Sequence, residues 1–413
     1  MTMSPPFAFI VPGGGFDLAF AMLVVFGSAK LLAEVAERFH MPGIVGGLFA
    51  GILIGPSGLG LIKYDDLLHA LAELGVMFLL FQVGLQIKTS DLLKVGRTAM
   101  LVAVLGVIIP FLLGWAIMVA AGHPQIEAIF MGAAMVATSV GITAEVLASK
   151  GLLAHQTSRV ILAAAVIDDV LGLLVLAVVS SMGEGRGVDF AGLATSATVS
   201  ILFVAAMVKF GSPTVNFVMP KLLARLRSQE AEFAVAFSFL FLMALLATYS
   251  GVAAIIGAFL AGLALSESIG KRTHTLASGA AELMVPFFLA SIGLQLNLAV
   301  LMNPPVLALG LAILLAAILS KAVGCGLGAY SMGWKDASRV GLGMVPRGEV
   351  GMVVAQVGLV KGVVSQEAYG VAVFMAVATT IVAPALINLV YRDLAVEPVL
   401  ASPDDLGEPT HIG

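Results

Sequence analysis

The chain has 413 residues, of which 60% are hydrophobic and 11% charged, with a formal net charge of −4. Soluble domains are about one quarter charged, so this composition excludes an aqueous fold and points to an integral membrane protein of helices. The single cysteine, Cys325, lies in an apolar segment and reads as a buried, inert thiol, which excludes a disulfide framework and a cysteine-ligated metal.

Met1 to Gly15 carry no Lys or Arg and lack the basic region and cleavage site of a signal peptide, so the first span is expected to be retained. Apolar stretches bounded by charged or Gly/Pro-rich turns predict about thirteen spans in an all-α polytopic fold. They fall near 16–36, 43–62, 68–87, 98–121, 126–149, 157–181, 190–210, 231–248, 250–266, 276–297, 305–330, 337–360 and 366–391. With the N-terminus outside, the cytoplasmic loops and tail collect nearly all the loop Lys and Arg, among them Lys88, Lys150, Lys209, Lys221, Lys271 and Arg392. The outside loops keep only Lys63, Arg186 and Lys361, which is the asymmetry of the positive-inside rule. The tail, 392–413, is short, polar and expected to be disordered and cytoplasmic. No glycine-rich nucleotide-binding loop follows the membrane domain, so ATP-driven transport and a cytoplasmic nucleotide-sensing domain have no basis in the sequence; no cofactor and no nucleic-acid partner is expected.

An internal repeat emerges when Ala72-Glu73-Leu74 through Gly84-Leu85-Gln86 is laid over Ala281-Glu282-Leu283 through Gly293-Leu294-Gln295, a constant shift of 209 positions, 281 less 72. The copies belong to the third and tenth spans, an odd number apart, so the second must insert upside down. One membrane transport domain, 1–413, is therefore divided into a first inverted repeat, 16–181, a linker helix, 190–210, and a second repeat, 231–391. Such repeats are a hallmark of secondary transporters, with the substrate site where discontinuous helices meet at the midplane.

In the sixth span Asp168 and Asp169 are adjacent within an apolar helix, where an ionisable residue costs at least about 2.5 kcal/mol and is a functional candidate by default. Neighbours on a helix point about 100° apart, so both can border one cavity without sharing a partner. Two close carboxylates in a low dielectric resist ionising together, the condition under which protons and cations compete. Lys321, mid-membrane in the eleventh span, requires a partner, and one of the aspartates is the obvious choice. The fifth span carries Ala137-Thr138-Ser139-Val140-Gly141-Ile142-Thr143 and the twelfth Val345-Pro346-Arg347-Gly348-Glu349-Val350-Gly351. These are expected to be the paired broken helices, crossed at the centre. Their freed carbonyls and the Thr138 and Ser139 hydroxyls could ligate a hard cation, or the hydroxyls could simply bond back to the preceding turn. Arg347 and Glu349 read as a structural charge pair that neutralises exposed helix ends. Glu73, Glu145 and Glu282 are expected to pair near the interface, and His40, His69, His123, His155, His274 and His411 to be ordinary loop, span-end or tail residues.

The Asp-Asp pair, the Ala-Thr-Ser-Val-Gly-Ile-Thr run, Lys321 and Pro-Arg-Gly-Glu-Val-Gly together resemble the bacterial sodium/proton antiporters of the second monovalent cation:proton antiporter family, thirteen-span type. The resemblance covers nearly the whole chain. It implies Asp169 as the main Na+-binding carboxylate, Asp168 paired with Lys321 when sodium is absent, and Thr138 and Ser139 beside the ion. It further implies a homodimer in the inner membrane, embedded in lipid, whose core domain of spans four to six and eleven to thirteen slides like an elevator against a dimerisation domain. Electrogenic exchange of two protons for one sodium goes with the double aspartate and lysine. Transported monovalent cations and protons are then the only partners besides lipid and the second subunit. A potassium/proton exchanger of the same superfamily and a sodium-coupled solute symporter are the alternatives. An enzyme is not expected, because an intramembrane aspartyl protease needs its two aspartates on separate helices.

Overall fold

The computed structural model describes residues 16–394 apart from 40, 42, 184–189, 225 and 227–229. The expectations for the first fifteen residues, for His40 and His411, for Arg186 and for the tail beyond 394 lie outside the described residues. The regular structure among the described residues is helical, in the order α1 (Phe16–Arg38), α2 (Gly43–Ile54), α3 (Asp66–Leu85), α4 (Thr89–Lys94), α5 (Gly96–Ala120), α6 (Gln125–Ala134), α7 (Val140–Ser149), α8 (Gln156–Gly183), α9 (Phe190–Leu223), α10 (Ala231–Tyr249), α11 (Ala254–Leu265), α12 (Lys271–Leu294), α13 (Pro304–Gly328), α14 (Trp334–Gly343), α15 (Glu349–Val360) and α16 (Gln366–Tyr391). Among the described residues nine helices are long and apolar enough to cross a membrane. The short helices α2 and α11 and the interrupted pairs α6–α7 and α14–α15 complete the thirteen passes.

Two boundaries differ from expectation. The second span is helical only to Ile54, and the seventh continues to Leu223 through Pro213 and Pro220. Prolines are tolerated in membrane helices because neighbours can satisfy the freed backbone groups, so Lys209 and Lys221 stand on helix, each over a phenylalanine ring of the preceding turn or the adjacent residue. Lipid-facing side chains such as Leu23, Leu31, Phe210 and Leu246 remain exposed, as the outer surface of a membrane bundle should.

Packing divides the helices into two bundles. α1, α2, α3 and α9–α12 pack densely among themselves, as do α5–α8 with α13–α16, and contacts between the two sets are sparse. The second set comprises spans four to six and eleven to thirteen, the grouping expected for a core.

The inverted repeat is written in glycines at close helix crossings. A Cβ on Gly84 would run into the Phe259 carbonyl of α11, and one on its counterpart Gly293 into the Leu48 carbonyl of α2. Reciprocally, Gly262 faces the Phe81 carbonyl and Gly51 the Ala290 carbonyl, while Gly257 meets Met243 and Gly46 meets Leu32. Each α11 residue stands 211 positions after its α2 counterpart, 262 less 51, and the residues they touch are likewise repeat-related. Association of helices in lipid relies on close packing at small residues, and these crossings recur in both halves.

Candidate ion-binding site

The site lies inside the second bundle, where two interrupted helices cross. α6 stops at Ala134 and α7 begins at Val140; α14 stops at Gly343 and α15 begins at Glu349. Ser139 and Gly348 hold equivalent positions in the two breaks and touch each other: a Cβ on Gly348 would lie 2.7 Å from both Cβ and Oγ of Ser139. The Ser139 amide donates to the Pro346 carbonyl at 2.8 Å. Only glycine at 348 lets the two extended strands approach this closely.

α6 and α14 each end at a break, and each C-terminal end brings unsatisfied carbonyls and partial negative charge. Arg347, fully buried, answers one of them. Its Nη1 donates to the Val136 and Ala137 carbonyls at 3.0 and 3.1 Å, and its Nη2 to the Ala317 carbonyl at 3.3 Å. The Arg347 backbone is fixed in turn, its amide donating to Thr379 Oγ1 and its carbonyl accepting from Thr380 Oγ1. At the other end Thr143 Oγ1 donates to the Gly343 carbonyl at 2.7 Å. The partners of Arg347 are thus backbone carbonyls, two in the break after α6 and one within α13. The side chain of Glu349, its expected pair, lies outside the described residues.

These bonds revise the expected ligand set. The carbonyls of Val136, Ala137, Gly343 and Pro346 are already engaged. By contrast, Thr138 Oγ1 and Ser139 Oγ are buried, and neither has a hydrogen-bond partner among the described residues. Back-bonding to the preceding turn is not their role here. A buried hydroxyl without a partner costs about 1–3 kcal/mol, and an entering cation would supply what they lack.

Asp168 and Asp169 stand on α8, which packs against α5, α6, α7, α14 and α15. Asp168 is 1% exposed and Lys321 of α13 not at all; the Lys321 ammonium donates to both Asp168 oxygens at 3.1 Å. Asp169 is 9% exposed. The two carboxylates thus differ: one is held by a buried lysine, and its neighbour borders the interior with slightly more access. Space for the lysine comes from Gly106 of α5, where a Cβ would lie 3.2 Å from Lys321 Nζ and 2.7 Å from Cys325 Sγ. Sequence reasoning missed Gly106, which is one of 46 glycines and shows its purpose only once α5 and α13 are packed. Cys325 is buried beside the pair, in keeping with an inert thiol.

The peripheral charges are arranged as follows. Glu73 pairs with His69 at 3.5 Å on the surface. Glu145 and Glu282 line a cavity between the bundles, where Lys30 of α1, unremarked in the sequence, joins them. Two histidines are engaged in ways loop residues seldom are. His123 Nδ1 lies 2.8 Å from the buried Glu127, whose other oxygen accepts from the Ser365 amide. His155 Nδ1 lies 2.7 Å from Thr157 Oγ1, which also meets the Tyr391 hydroxyl. Among the described residues no group of three or more His, Cys, Asp or Glu could hold a resident metal ion.

The family model of the transmembrane sodium/hydrogen exchanger matches residues 21–392, nearly the whole chain. The chain belongs to the sodium/hydrogen exchanger family. Among family relatives, the chain is 32% identical to the Na(+)/H(+)-K(+) antiporter GerN of Bacillus cereus, over 91% of this chain and 97% of that protein. It is 30% identical to the high-affinity Na(+)/H(+) antiporter NhaS3 of Synechocystis sp., with 93% of both covered. In structure it resembles the sodium proton antiporter MjNhaP1 of Methanocaldococcus jannaschii, with a TM-score of 0.63 at 17% identity over 94% of this chain and 99% of that one. The exchanger fold, with a multi-pass membrane architecture, therefore extends along the chain.

Proposed function

We propose that this exchanger moves Na+ or Li+ against H+ by elevator-type alternating access, with Asp169 and Asp168 carrying cation and protons. The observation that carries the proposal is the fully buried Lys321–Asp168 pair beside Asp169. A charge pair taken out of water is a costly way to join helices; it is useful if it must be made and broken. The names of the relatives support Na+ and H+, with K+ added in that of GerN.

In the proposed cycle sodium enters at Asp169, with Thr138 Oγ1 and Ser139 Oγ as further oxygen ligands, a donor set suited to a hard cation. Its charge displaces protons from the site and loosens the Lys321 contact with Asp168. The loaded core then crosses as a unit against the other bundle, and reprotonation on the far side resets the pair. Arg347 does not travel between partners: it keeps the α6 end neutral while the ion comes and goes. Movement of net charge couples the exchange to the membrane potential at about 2.3 kcal/mol per 100 mV. The assembly proposed is a homodimer in an inner membrane, N-terminus outside and C-terminus cytoplasmic, with no cofactor and no covalent step.

The test is ion-driven pH change in liposomes holding the purified protein, with the potential clamped or free. Sodium should drive proton movement that responds to potential, and Lys321→Ala should abolish that response. A response to potassium instead of sodium would move the assignment to potassium/proton exchange.

A further inference from the structure

A cavity of about 600 Å³ separates the two bundles beside the C-terminal ends of α3, α7 and α16. One wall presents Lys30 and Glu37 of α1 and Glu282 of α12; the other presents Glu145 of α7 and Lys150 just after it. The remaining helices contribute neutral groups, Gln82 and Gln86 from α3 and Asn388 from α16. Lys30 and Glu282 lie well inside their helices yet remain exposed. Charges at that depth require water or a counter-charge, and the cavity brings side chains of both signs together.

Glu145 stands on one bundle and Lys30 and Glu282 on the other, and all three line the same cavity, so Glu145 meets one opposite and one like charge across it. If the core slides past the other bundle, the two carboxylates change their separation at each passage. We propose that Lys30 is a positioning residue for transport: its charge offsets the repulsion between Glu145 and Glu282 and holds the conformation in which this cavity is open. The inference rests on the exchange reading for its purpose, but not for its test.

Removing the Lys30 charge leaves like charges facing across the cavity, and the equilibrium shifts toward the conformation in which they part. The test uses Ala148→Cys, a cavity-lining position, in protein reconstituted in lipid nanodiscs and labelled with a bulky polar maleimide; Cys325 is buried and stays silent. At about pH 8, where free carboxylates are ionised, Lys30→Met should slow labelling about fivefold, the scale of one partly solvated charge pair. Lys30→Arg should label like the parent. Lys30→Met combined with Glu145→Gln should recover the parent rate, because no carboxylate of the core is left to face Glu282 and Glu37 across the cavity. At about pH 5 the Lys30→Met effect should shrink as carboxylates take up protons. Parent-like labelling of Lys30→Met at high pH, or no recovery in the double variant, would overturn the proposal. Labelling needs no transported ion, so its outcome is independent of whether sodium/proton exchange is found.

Discussion

The Lys321 ammonium lies 3.1 Å from both oxygens of Asp168, and neither side chain is more than 1% exposed. Breaking a buried pair by removing one partner leaves an uncompensated charge and costs about 3–5 kcal/mol, whereas replacing both by apolar groups is often neutral. Lys321→Ala should therefore lower the thermal midpoint markedly, and Lys321→Met combined with Asp168→Leu should restore much of it. Thermal unfolding in detergent checks this. Equal losses in the single and double variants would mean the pair is not a coupled unit.

Arg347 makes three hydrogen bonds, to two carbonyls in the break after α6 and one of α13, from a fully buried position. Lysine cannot reproduce a planar fork of donors, so Arg347→Lys should be destabilised by about 2 kcal/mol or more and should lose transport along with stability. Midpoint and exchange rate measured on the same preparation test this.

Thr138 and Ser139 behave differently, because their hydroxyls satisfy nothing among the described residues. Ser139→Ala and Thr138→Val should leave the midpoint unchanged or slightly raised, since each removes a buried polar group without a partner. The apparent Michaelis constant for sodium should rise about tenfold, the equivalent of one lost ligand worth about 1.4 kcal/mol. A fall in stability with unchanged sodium dependence would remove them from the site.

Gly106 admits the lysine. Gly106→Val would place a branched side chain where Lys321 Nζ and Cys325 Sγ now sit, an overpacking cost of about 1–3 kcal/mol. Sodium-driven exchange should be impaired in proportion more than folding, read as activity per folded molecule by size-exclusion and transport assays.

The asymmetry between what the sequence announces and what it conceals follows from the same energetics. Asp168, Asp169 and Lys321 stand out because a charge in an apolar run of membrane-spanning length is expensive and therefore rare. The two breaks were legible from Pro346, Gly348 and the hydroxyl run at 138–143, which weaken helices locally. Gly106, the Arg347 carbonyl clamp and the engaged Ser139 amide were not legible, because each depends on a contact between helices far apart in the chain. Lys30 was not legible either, because its place opposite Glu145 depends on the packing of α1 beside α7 and α12 around one cavity. The long α9 was cut short because Lys209, Pro213 and Pro220 look like a loop when lipid and neighbouring helices are left out.

Burial holds the His155 imidazole below its ordinary pKa; Arg339 and Arg159 push it the same way, while Asp336 and Asp393 oppose them. A histidine with a depressed pKa in the folded state is neutral there and must be protonated on unfolding, so the folded state binds fewer protons than the unfolded one. Stability contributed by this group is complete above the unfolded pKa of about 6.5 and declines as pH falls below it. His155→Gln should flatten the acid-side drop in thermal midpoint between about pH 7 and pH 5. An unchanged slope would show that His155 does not contribute to it.

The central claim is that Asp169 carries the exchange, and sodium-driven proton movement in liposomes, compared between the parent and Asp169→Asn, tests it most directly. The account predicts proton efflux on sodium addition in the parent and none in Asp169→Asn, while the variant remains folded by its thermal midpoint. Sodium-driven proton movement at the parent rate in folded Asp169→Asn would contradict it.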